Sequence, residues 1–94
     1  MAHLLVRQKV EDYATWKAAF DTDAGIRASG GSQGGHIFQN TNDPHEVVIL
    51  LAWDTMDNLR QFAQADDLQQ RMQRAGVVGP PAIVFLDLVD SPSA

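Results

Sequence analysis

Of the side chains here that can move a proton near neutral pH, His36 is the one placed where a bound molecule could meet it. It follows Gly34 and Gly35, and two residues without side chains let a ligand come close to the backbone of the strand that carries them. There the imidazole would act as a general base or acid. A lone strand histidine is equally at home on a surface or an interface, so both readings stand. His3 opens the first strand on the face opposite Leu4 and Val6, where a subunit contact competes with chemistry. His45 follows Pro44 in a turn and reads as solvated. The histidines lack the close spacings of paired metal ligands, and His45 and Glu46 would project from opposite faces of a strand, so no metal site is expected.

Trp16, Phe20, Trp53, Phe62 and Met72 could wall an aromatic pocket of the kind that takes a flat polycyclic molecule, with the Tyr13 phenol at its rim. Residues at helical spacing ordinarily fill a core, which is the competing reading. Arg27, near the end of the first helical stretch, could draw an acidic substrate towards them, as could Arg60, Arg71 and Arg74. Most of these arginines are expected to be solvated charges offset by Asp57, Asp66 and Asp67. There is no cysteine for a thiolate, a disulfide or a metal-bound sulfur, and no serine sits in a G-x-S-x-G elbow. The stretch Gly30-Gly31-Ser32-Gln33-Gly34-Gly35 lacks the Lys-Ser/Thr ending of a phosphate loop and reads as a flexible lead into a strand, or a lid.

The elements that would position these groups follow from periodicity. His3 to Val10 alternates as a strand, with Leu4, Val6 and Val10 on one face and His3, Leu5, Arg7 and Lys9 on the other. Asp12 can cap a helix whose buried stripe is Tyr13, Trp16, Ala19, Phe20 and Ala24, fading by Ser29 where Gly30 and Gly31 supply a stop. Gln33 to Asn40 and Glu46 to Trp53 should form a hairpin across Thr41-Asn42-Asp43-Pro44. Thr55 or Asp54 caps a short helix with Leu59, Phe62 and Ala63 inward, and Asp66 with Gln69 makes a second capping box. Two caps so close predict a break near Ala65, followed by a second helical piece bearing Leu68, Met72 and Ala75. Gly76 to Pro81 reads as a rigid turn, Ala82 to Val89 as the last strand, and Asp90 to Ala94 as a frayed tail.

A chain of 94 residues, 45% hydrophobic and 20% charged, holds material for one core and one domain, residues 1–94. Its net charge of -5 argues against nucleic acid or an anionic membrane, both of which call for a positive face. The third strand also lacks the basic, glycine-spaced aromatics of an RNA-stacking sheet. No signal peptide and no run near the roughly 20 apolar residues of a membrane helix is present, so a cytoplasmic protein is expected. Strand, helix, strand, strand, helix, strand folds most simply as an α+β, ferredoxin-like βαββαβ domain: an antiparallel four-stranded sheet with both helices on one face. Yet Val47 to Trp53 and Ala82 to Leu86 do not alternate as a sheet with one wet face should. A second copy of the sheet is the simplest cover, which predicts a homodimer.

Val10-Glu11-Asp12-Tyr13, Trp16-Lys17, Phe20-Asp21, Trp53-Asp54 and Ala75-Gly76-Val77-Val78-Gly79-Pro80-Pro81, in this order of elements, resemble the dimeric α+β barrel proteins. The likeness is to short bacterial members similar to antibiotic biosynthesis monooxygenases and cyclase-like proteins, and it spans nearly the whole chain. It implies a barrel of two sheets and one pocket per protomer between sheet and helices. It also implies a cofactor-free monooxygenase or cyclase-like enzyme acting on a small aromatic or polyketide-like molecule. In such a reaction the substrate anion supplies the electrons and the protein desolvates, orients and deprotonates it, with His36 as base beside Tyr13 or Arg27. A non-catalytic ligand-binding or interaction protein on the same scaffold is the alternative, favoured by the lack of a convergent acid/base pair. The superfamily also holds haem-degrading enzymes, but no haem residues can be matched here.

Overall fold

The first and third strands make the centre of the sheet, and the apolar last strand lies at its edge. The computed structural model describes residues 1–94. Its strands are β1 (Ala2–Val10), β2 (Ser32–Asn40), β3 (Asp43–Trp53) and β4 (Val77–Asp87), all antiparallel in the order β2-β3-β1-β4. Between β1 and β2 lie α1 (Tyr13–Thr22) and α2 (Ala24–Gly30); between β3 and β4 lie α3 (Met56–Ala63) and α4 (Leu68–Arg74). This is the ferredoxin-like α+β arrangement expected from the order of elements. No helix is long and apolar enough to cross a membrane.

Register decides which side chains meet. Leu4 lies opposite Leu51 and Phe85, and Val6 opposite Ile49 and Ile83; these face the helices and, with Trp16, Trp53 and Leu59, build the core. On the other face Leu5 lies opposite Leu50 and Val84, and Leu50 opposite His36. The residues that break alternation therefore line up as an apolar far face, where Phe38, Val84 and Leu86 are 52%, 42% and 36% exposed.

Local signals explain most boundaries. Asp12 accepts from the Thr15 amide at 2.9 Å and Thr55 from the Asn58 amide at 3.1 Å, both as expected of N-caps. The expected single helix after Asp12 is instead two, broken at Asp23. The Phe20 carbonyl, which an unbroken helix would hand to Ala24, is taken by the Asp23 amide and the Arg27 guanidinium. Gly31 ends α2 with φ 118, a conformation that only glycine adopts easily. The break after Ala63 is present as predicted, but Asp66 does not cap α4. Asp67 occupies that position in a helical conformation with no capping bond, and its carboxylate turns to Arg71 at 2.5 Å.

β4 begins at Val77, not at Ala82. The register jumps from Arg7 opposite Ala82 to Lys9 opposite Val78, so Gly79-Pro80-Pro81 bulges out beside Gln8 instead of forming a turn. Prolines are tolerated there because β4 is an edge strand. The strand ends at Asp87, short of the expected Val89.

Candidate functional site

A cavity of about 90 Å³ lies between the sheet and the helices. Leu4, Val6, Gln8, Ile49 and Leu51 form its floor. Trp16 and Phe20 of α1, Phe62 of α3 and Met72 of α4 form walls, and Asp23, Arg27 and Arg71 add charge on the helix side. The indole of Trp16 and ring of Phe20 stack with centroids 5.1 Å apart. Arg27 lies flat over Phe20, 3.5 Å from its centroid, and donates to the Phe20 carbonyl at 2.7 Å. Burial draws the Arg27 guanidinium below its ordinary pKa, against the opposing pull of Asp23 and Asp21. It remains a cation, as guanidinium groups in proteins do. Arg71 has only 11% of its side chain exposed; its Nε stands 3.6 Å from Asp23 and its guanidinium 5.7 Å above Phe62. Arg71 is thus a cavity wall and not the solvated charge the sequence suggested, while Arg74 is exposed and Arg60 lies over Phe85 at 4.9 Å.

Trp16, Phe20, Arg27, Phe62 and Met72, picked out in the sequence, therefore converge on one cavity. Trp53 stands behind it, fully buried, with its indole donating to the Gly30 carbonyl at 2.9 Å and its ring 4.8 Å from Phe62. Tyr13 packs on Trp16 at 5.8 Å, outside the lining. His36 does not line that cavity, although it borders the neighbouring cleft with Phe20 and Arg27. Ile37 packs on the core, so strand alternation sends His36 to the far face with its pair partner Leu50, where its ring lies 6.1 Å from Phe38. Gly35 lets β2 and β3 approach: a Cβ there would stand 1.9 Å from the Leu50 carbonyl oxygen. His45 is exposed, yet its Nδ1 reaches the Val10 carbonyl at 3.1 Å.

Two polar cavity residues, Asp23 and Gln8, were not picked out in the sequence. Gln8 shares the inward face of β1 with Leu4, Val6 and Val10, is 5% exposed, and its Oε1 has no hydrogen-bond partner. A polar residue at an inward period-two position was the available signal, since buried polar atoms are nearly always paired.

No family model matches the chain, and no curated protein matches it. Solved structures do. A Bordetella bronchiseptica protein assigned to the antibiotic biosynthesis monooxygenases has a TM-score of 0.76 at 18% identity, over 94% of this chain and 96% of its own. SnoaB, a cofactor-independent oxygenase from Streptomyces nogalater, has 0.78 at 12% identity, over 99% of this chain and 97% of its own. A Nitrosomonas europaea protein assigned to the same monooxygenases has 0.70 at 17% identity, over 96% of this chain and 100% of its own. The chain has the antibiotic biosynthesis monooxygenase fold.

Identities this low speak for the fold alone, so what this monooxygenase-fold chain can do rests on its own cavity. About 90 Å³ is less than the roughly 150 Å³ cavity known to take benzene. Even a single-ring molecule therefore needs side chains to swing aside. Arg27 and Phe20 also line a second cleft of about 270 Å³ beside β2, together with Gly34, Gly35 and His36. Aromatic faces beside two guanidinium groups suit a flat anion: the rings supply contact area and the cations favour its charged form.

Proposed function

We propose that the chain is a cytoplasmic, cofactor-free monooxygenase for small aromatic or polyketide-like phenols and enols, working as a homodimer. The observation that carries this reading is the juxtaposition of Trp16, Phe20 and Phe62 with Arg27 and Arg71 in one cavity. A phenol or enol held there against two cations ionises more readily, and its proton leaves to solvent. The resulting anion is the electron donor to dioxygen. In the net step a ring methylene and dioxygen give a ketone and water: two C–H bonds break, one oxygen atom enters the product, and the other leaves reduced as water. His36, on the opposite face, has no part in this step. The cofactor-independent oxygenase with the same fold supports the choice of chemistry.

The dimer is supported by the far face. Leu5, Leu50 and Val84 stand in one row there, and burying each such side chain contributes about 1.5 to 3 kcal/mol before association costs.

Ligand binding without turnover is the second reading, favoured by the cavity's lack of a free base: Asp23, its one carboxylate, is paired with Arg71. An oxygen electrode separates the two. With electron-rich phenols bearing an oxidisable methylene, the expected result is one dioxygen consumed per ketone formed, with the rate falling at least tenfold in Arg27→Met. Saturable binding with no oxygen uptake would establish the second reading.

A further inference from the structure

We propose that Gln8 is the inner recognition group of the cavity, and that the ligand class is therefore polar at both ends: an anion on the helix side and a hydroxyl donor against the sheet. This rests on the cavity being the ligand site, as proposed above. Gln8 is the one polar residue of the cavity floor, and Asp23, Arg27 and Arg71 are the charged residues on the helix side. Those three have partners in the protein, whereas the Gln8 Oε1 has none. Its surroundings explain why. Cross-strand it meets Val47, and β4 bulges away at Gly79-Pro80-Pro81, where the two prolines have no N–H to offer. On the cavity floor a water would itself want two to four polar partners, where the residues beside Gln8 are Leu4, Val6, Ile49 and Leu51. A hydroxyl carried on an apolar body donates to the Oε1 and leaves the apolar floor covered.

The test uses para-hydroxybenzoate and benzoate as probes, identical but for the oxygen opposite the carboxylate, with affinities read by calorimetry on the full chain. The native protein is expected to prefer the hydroxylated probe by about tenfold. Gln8→Leu and Gln8→Met, each checked for a cooperative thermal melt, should abolish that preference, so that each variant binds the two probes equally. A preference of the same size in both variants overturns the assignment of Gln8 and leaves the cavity reading standing. Failure of the native protein to bind either probe overturns the cavity reading and this inference with it.

Discussion

Replacing Gln8 with leucine should make the protein more stable, although the residue lies on the inward face of a central strand. Gln8 is 95% withdrawn from solvent, given its 5% exposure, and its Oε1 is unpartnered. An orphaned buried polar atom costs about 1 to 3 kcal/mol, which an apolar side chain of similar size does not incur. Leucine is slightly bulkier, but the adjoining cavity of about 90 Å³ can take the extra volume without overpacking. Allowing for imperfect packing, the net gain should be about 1 to 2 kcal/mol. For a chain of this size each kcal/mol raises the melting midpoint by about 4 to 8 °C. Thermal and urea unfolding, at one fixed protein concentration because association also shifts midpoints, measure it directly. A loss of about 1 kcal/mol or more would refute the reasoning, since it would mean that the native carboxamide is satisfied inside the folded protein. A gain would make Gln8 a residue kept at the expense of stability, as binding residues often are.

Leu50→Glu places a charge in the middle of the far-face row, between Leu5 and His36, and is expected to convert the dimer to monomer in light scattering at micromolar concentration; a native protein that is already monomeric would remove the dimer proposal. The Arg7 guanidinium bonded to Glu46 holds that carboxyl below its ordinary value of 4.5. The bond therefore stabilises the fold above pH 4.5 and is lost as pH falls through the lower folded value. Glu46→Gln should flatten that acid limb in pH-dependent melts, and an unchanged limb would show the pair to be inconsequential. Gly35→Ala, which drives a Cβ into the Leu50 carbonyl at 1.9 Å, should destabilise the β2–β3 pairing by about 3 kcal/mol or more.

Period-two and period-three-to-four patterns carried the architecture. Leu4, Val6 and Val10 fixed the inward face of β1, and the unbroken run from Val47 to Trp53 announced an apolar face on each side of β3. What pattern alone missed was decided by contacts distant in sequence. Arg27 breaks the first helix by reaching back to Phe20, and Pro80-Pro81 joins β4 because an edge strand can dispense with their donors. The aromatic walls were legible for the same reason as the core, since both follow helical spacing. His36 lies outside the aromatic cavity because alternation from Ile37 turns its side chain to the other face, while its place on β2 borders the cleft shared with Phe20 and Arg27. Arg71 and Gln8 could be ranked only once burial was known: one reads as a surface charge and the other as an interruption in an apolar stripe.

The central claim is that function resides in the cavity between sheet and helices and not on the histidine-bearing face. Crystals soaked in para-hydroxybenzoate test it most directly. Ligand density is predicted between Trp16 and Phe62, with the carboxylate towards Arg27 and Arg71 and the hydroxyl at Gln8. Density seated against His36 and Phe38, with the cavity unchanged, would contradict it.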